Sequence, residues 1–235
     1  MSKRVVNAPF FEIGPKSYLY GDDILALALS ADKASKKYGV DIIFTCPVVD
    51  IRRVRESTKY IHVYAPHMDP IPVGRGLADT LAESLVAAGA DGVMLNHVEK
   101  PLSFDVLAAT IKRADEVGLT TIVCADSMAD ATKIAGLHPD IIVAEPSELI
   151  GTGVSVGPEY VAAATECVKK VDEKILVLTA AGISNGEDVY NTIIAGADAT
   201  GSSSGVAKAA DRDAMVDEMI GAVRRAWDKR HSKNV

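Results

Sequence analysis

The chain has 235 residues, of which 48% are hydrophobic and 24% charged, and a formal net charge of −7. That length suits one large domain of ordinary globular composition. The acidic balance argues against nucleic acid or an anionic membrane as partner. No apolar run approaches the roughly 20 residues of a membrane-spanning helix, and the first seven residues lack the apolar region of a signal peptide. Three cysteines, Cys46, Cys124 and Cys167, are sparse and unclustered. They read as reduced thiols of a cytoplasmic protein, not as a disulfide frame or a zinc site.

In chain order, short β-branched runs alternate with helical patterns. Strands are predicted at 4–7, 41–45, 61–65, 92–96, 120–124, 141–145, 175–179 and 197–201, each apolar enough to be buried on both faces. Helices are predicted over 22–37, 77–88, 103–117, 129–135, 158–171, 187–195 and 211–229. Gly89 and Gly118 serve as C-terminal signals, Ser103 as an N-cap, and Pro158 and Asp211 as helix starts. Strand–helix alternation means βαβ units and a parallel sheet. Eight units in one chain fit a single closed (β/α)8 barrel spanning residues 1–235, with no linker or composition break.

In that architecture the active site lies on the loops after the C-terminal strand ends. Glu145 ends the sixth predicted strand, before a hinge-like Gly151-Thr152-Gly153. It fits a general base under a lid, or a carboxylate that pairs with lysine or caps a helix. His97 ends the fourth strand and fits a donor to a substrate carbonyl, or a histidine bonded to backbone. His138, before Pro139, is expected on the opposite, stabilising face. Two segments rich in small residues, Ala180-Ala181-Gly182-Ile183-Ser184 and Gly201-Ser202-Ser203-Ser204-Gly205, follow the seventh and eighth strands. Loops there are a recurrent phosphate site of barrels, though glycines also simply make tight turns. No metal-ligand cluster stands out.

Together these residues resemble the triosephosphate isomerase family, particularly its short archaeal-type branch, over nearly the whole chain. Asn96-His97-Val98-Glu99 resembles the family's Asn-His-Ser-Glu, which implies His97 as electrophile and Glu99 as supporting carboxylate. Glu145-Pro146 with Glu148-Leu149-Ile150-Gly151-Thr152-Gly153 resembles the catalytic glutamate and lid, and Cys124 the cysteine behind it. Gly182, Ser184, Ser203 and Ser204 resemble the phosphate-binding turns, joined by Gly151.

Two departures stand out. The family carries Asn-x-Lys at the end of strand one. With that strand at 4–7, this chain offers Asn7-Ala8-Pro9: Asn7 remains as a substrate contact, but the cation is gone. The following loop is then expected to be about five residues longer than in the archaeal type. Lys16, after Gly14-Pro15, is either a cation re-entering the site or a surface lysine. After strand three the chain reads Ala65-Pro66-His67, and the loop around Gly74-Arg75-Gly76 is shortened where the family makes subunit contacts.

The resemblance implies a cytoplasmic aldose–ketose isomerase of a small phosphorylated sugar, a triose phosphate; the altered first loop opens the alternative of a tetrose or related sugar phosphate. It implies an enediol pathway, no metal or organic cofactor, and a homo-oligomer, dimer or tetramer. A lyase or epimerase sharing the enediolate, and a non-catalytic phosphometabolite-binding homologue, are the alternatives.

Overall fold

The computed structural model describes residues 3–146, 149 and 156–232. Eight parallel strands close into a barrel in chain order, β1 pairing with both β2 and β8. They are β1 Phe10–Ile13, β2 Asp41–Thr45, β3 His62–Ala65, β4 Gly92–Leu95, β5 Thr120–Ala125, β6 Ile141–Ala144, β7 Leu176–Leu178 and β8 Ala199–Ser202. The expected (β/α)8 architecture is the observed one, and seven of the eight predicted strands lie within two residues of the observed bounds.

The first strand is the exception. Residues 4–7 run beneath the barrel and do not enter the sheet. Their apolar character has another cause: Val6 is buried among Phe10, Ile43, Tyr64, Ile122 and Ile141 in the barrel interior. The segment is tied down by Arg4 to Asp91 at 3.0 Å and by Lys3 to Asp140 at 2.6 Å. It therefore plugs the bottom of the barrel. The residues expected as an extended first loop, Phe10 and Phe11, are the strand itself, so the long first loop does not exist.

Side chains alternate across each strand. In β1, Phe10 faces the barrel interior, Phe11 and Ile13 face the helices, and Glu12 falls on the inward parity at the upper rim. Outside, α1 Asp22–Tyr38, α2 Ile51–Ser57, α3 Ala82–Ala88, α4 Phe104–Val117, α5 Met128–Ala135, α6 Pro158–Lys169, α7 Gly186–Ile194, α8 Ser204–Ala207 and α9 Arg212–His231 cover the sheet.

The predicted caps of α4 and α9 are used: the side chains of Ser103 and Asp211 accept from Val106 N and Ala214 N. Gly89 and Gly118 end α3 and α4 in left-handed conformation. Helix α3 starts at Ala82, not at residue 77. Helix α2 was not predicted: its seven residues bury only Ile51 and Val54, too few to set a period. His138 lies at the bottom, bonded to Asp172 at 2.9 Å.

Candidate active site

Two cavities of about 350 and 340 Å³ open at the upper rim and share Glu12, Lys16 and Ser203. The first runs toward Thr45, Cys46, His97 and Glu99. The second holds Glu145 and the two loops of small residues after β7 and β8.

Glu145 follows β6, its amide bonded to Ala125 O at 3.2 Å, and it is 9% exposed. Burial pushes its carboxyl up to about 7, with Asp126 adding to the rise and Lys16 opposing it. A carboxyl near neutrality, in a cavity, suits proton transfer at physiological pH. Cys124, one strand over, is fully enclosed, and burial holds it as the thiol well above the ordinary cysteine range.

His97 sits on a loop fixed from two sides. Asn96 adopts a left-handed backbone conformation, φ 57°. Its amide donates to Cys124 O at 3.0 Å, and its side-chain oxygen accepts from Leu102 N at 3.0 Å. Those bonds hold a conformation that a non-glycine residue seldom adopts. The Glu99 amide donates to His97 Nδ1 at 3.0 Å. With Nδ1 accepting, the neutral ring carries its proton on Nε2. Burial, with Lys16 nearby, pulls the His97 pKa below the ordinary histidine value, so the imidazole is neutral.

Lys16 reaches the rim. It lines both cavities, and its Nζ meets Glu99 Oε1 at 2.9 Å. Its backbone is left-handed, φ 47°, after Pro15. The hydrogen bond to Lys16 holds the Glu99 carboxyl below the usual range. The sequence offers a cation re-entering the site and a surface lysine as equal readings; the side chain lies at the cavity rim, paired with Glu99.

The loops after β7 and β8 are joined by Ser202 Oγ donating to Ile183 O at 2.9 Å. Gly182 is left-handed, φ 75°. Gly205 has no room for a side chain, since a Cβ would lie 2.7 Å from Ile183 O. Ser203 Oγ is buried without a hydrogen-bond partner among the described residues. Ser204 opens the short α8 and lines the second cavity. Ser184 lines it too, but its amide and hydroxyl both donate to Asp188, at 2.9 and 2.8 Å. Lys208, which the sequence did not single out, stands over the Tyr18 ring at 4.7 Å on the same wall.

Asn7 is corrected. It bonds through its amide to Asp41 at 2.9 Å, at the first residue of β2 and thus at the opposite end of the barrel. The cause is the misplaced first strand. Gly151 and the Gly-Thr-Gly lid lie outside the described residues. Sequence reasoning also missed Glu12. The tip of β1, where the family's Asn-x-Lys is expected, here reads Glu12-Ile13-Gly14. The signal that finds Glu12 is the inward parity it shares with Phe10 once the strand is set at 10–13.

A closed (β/α)8 barrel with a buried glutamate, a neutral histidine and a lysine on one rim defines a barrel enzyme. Comparison with known proteins narrows the class. The model of the family described as triosephosphate isomerase matches residues 16–219. The triosephosphate isomerase of Saccharolobus solfataricus is 37% identical over 226 residues, covering 94% of this chain and 99% of that protein. Those of Methanothermus fervidus and Methanocaldococcus jannaschii are 36% and 37% identical, over 92% and 85% of this chain and 99% and 92% of their own length. The chain belongs to the triosephosphate isomerase family and is an isomerase.

Proposed function

We propose that this protein interconverts the aldose and ketose forms of triose phosphate. The observation that carries the reading is Glu145: a buried carboxyl near neutrality at the tip of β6, in one cavity with the loops after β7 and β8.

The ionised Glu145 takes the proton from the carbon beside the carbonyl, and the electron pair moves into a carbon–carbon double bond. His97 donates from Nε2 to the carbonyl oxygen as charge builds there. Returning the Glu145 proton to the neighbouring carbon, while His97 Nε2 takes the proton of the other oxygen in place of the one it gave, completes the isomerisation. A glutamate base beside a neutral histidine is the division of labour known for this family. Lys16 adds positive charge beside the developing oxyanion. Gly182, Ser203 and Ser204 supply the phosphate cradle, with Lys208 as its cation. Ser184 shapes that cradle through Asp188.

A second reading, a longer sugar phosphate, is favoured by the first cavity, whose roughly 350 Å³ adjoin the Glu145 cavity through Glu12, Lys16 and Ser203. Purified protein mixed with glyceraldehyde 3-phosphate or dihydroxyacetone phosphate tests the proposal. Interconversion that disappears in Glu145→Gln supports it. Turnover of a tetrose phosphate with neither triose converted would replace it with the second reading.

A further inference from the structure

Three polar side-chain oxygens that line the first cavity, Glu12 Oε1, Thr45 Oγ1 and Ser203 Oγ, are buried with no hydrogen bond of good geometry among the described residues, although the Thr45 hydroxyl stands near enough to the Glu12 carboxyl to favour its ionised form. A buried polar group left unpaired costs free energy, and native proteins avoid it unless a ligand or water supplies the bond. Three around one cavity ask for an oxygen-rich occupant.

Glu12 is the most demanding of them. It is 8% exposed and stands at the junction of the two cavities, between the phosphate loops and His97. Its surroundings are cleared for it. Gly201 is its register partner on β8, and a Cβ there would lie 2.8 Å from Glu12 O, 3.0 Å from its Cβ and 3.3 Å from Oε2. A Cβ on Gly14 would lie 2.9 Å from Glu12 Oε1. A side chain at Gly14 would press on the carboxyl, and one at Gly201 on the backbone and Cβ of Glu12.

We infer that Glu12, as a neutral carboxylic acid, donates a hydrogen bond to an oxygen of the reacting carbons of the sugar phosphate, with Thr45 and Ser203 completing the contact. The inference rests on the isomerase reading above. The Glu12 proton is not consumed: its bond to the substrate oxygen strengthens as the enediolate forms and relaxes as the carbonyl returns. Holding an acid here also keeps a second negative charge away from Glu145 and from the substrate phosphate.

The charges around Glu12 fit that state. Burial, first, and the Glu145 carboxylate oppose its ionisation, whereas the neighbouring Thr45 hydroxyl and Lys16, from its own loop, favour it. Their balance places the carboxyl at about 7. Cys124 on β5 stays a thiol, His97 is neutral, and Glu99 is paired with Lys16. Lys100 and Lys208 stand on the outer walls of the two cavities.

The test is the pH profile of kcat/KM with triose phosphates for wild type, Glu12→Gln, Glu12→Ala and Glu145→Gln. Glu145 must be ionised and Glu12 protonated, so wild type follows a bell near neutral pH. Gln keeps a donor and cannot ionise, so the alkaline limb should disappear while the plateau falls less than about tenfold. Ala removes the donor and should cost about a hundredfold. A Glu12→Gln profile that keeps the wild-type alkaline limb, or Glu12→Ala within about threefold of wild type, would overturn the role of Glu12 and leave the isomerase reading intact. A wild type that converts neither triose at any pH would overturn both.

Discussion

Lys16 and Glu99 meet at 2.9 Å across the mouth of the barrel, although 83 residues separate them in sequence. The contact joins the loop after β1 to the loop after β4 and sets a cation beside His97. The tip of β1 carries Glu12 and Gly14 and no positive charge. The lysine arrives two residues beyond Gly14, through Pro15 and the left-handed backbone of Lys16 itself.

If Lys16 supplies the site's charge, Lys16→Ala should lower kcat/KM by about 10² to 10³. Its stability should barely change, because a partly exposed ion pair contributes at most about 1 kcal/mol. Kinetics beside a thermal melt separate the two effects. A fall in Tm that matches the fall in activity would mean the lysine only holds the loop.

The acid limb should belong to Glu145. Its carboxyl ionises at about 7, so kcat/KM should drop tenfold per pH unit well below that. Glu145→Asp shortens the reach of the base and should cost about 10² or more in kcat at every pH. The pH–rate profiles of both proteins check this.

Stability should show the same groups with the opposite slope. The folded-state pKa of Glu12 is raised, to about 7, so the folded form holds a proton that the unfolded chain releases from about pH 4.3 upward. Stability is therefore lost as pH rises from about 4.3 to 7, by up to about 4 kcal/mol for this group. Glu12→Gln should melt up to about ten degrees above wild type at pH 8 and at the same temperature near pH 4. Calorimetry at the two pH values decides it.

Gly205 tests the cradle. A Cβ would lie 2.6 Å from Ser202 Oγ and 2.7 Å from Ile183 O, so the two loops must separate. Gly205→Ala should raise KM for the phosphorylated substrate about tenfold, with a smaller change in kcat. Inhibition by inorganic phosphate should weaken in parallel.

Much of this was legible in the sequence. Glu145 and His97 each end an apolar run, and a polar residue at a strand tip in a barrel points to the active rim. Glu12 was hidden because Val5-Val6 imitated a strand; Val6 is apolar to plug the barrel floor, which only tertiary packing reveals. The same error sent Asn7 to the wrong end and invented a long first loop. Ser184 looked like a free phosphate donor, since nothing in a linear pattern shows Asp188 turning back to take both its hydrogens. Lys16 could be suspected, but only folding of the Gly14-Pro15 turn brings it to Glu99.

The most direct measurement is proton NMR of dihydroxyacetone phosphate in heavy water with wild type and Glu145→Gln. The account predicts glyceraldehyde 3-phosphate formation with deuterium on the neighbouring carbon that receives the proton from Glu145, and neither event in Glu145→Gln. Isomerisation and exchange that persist at the wild-type rate in Glu145→Gln would contradict it.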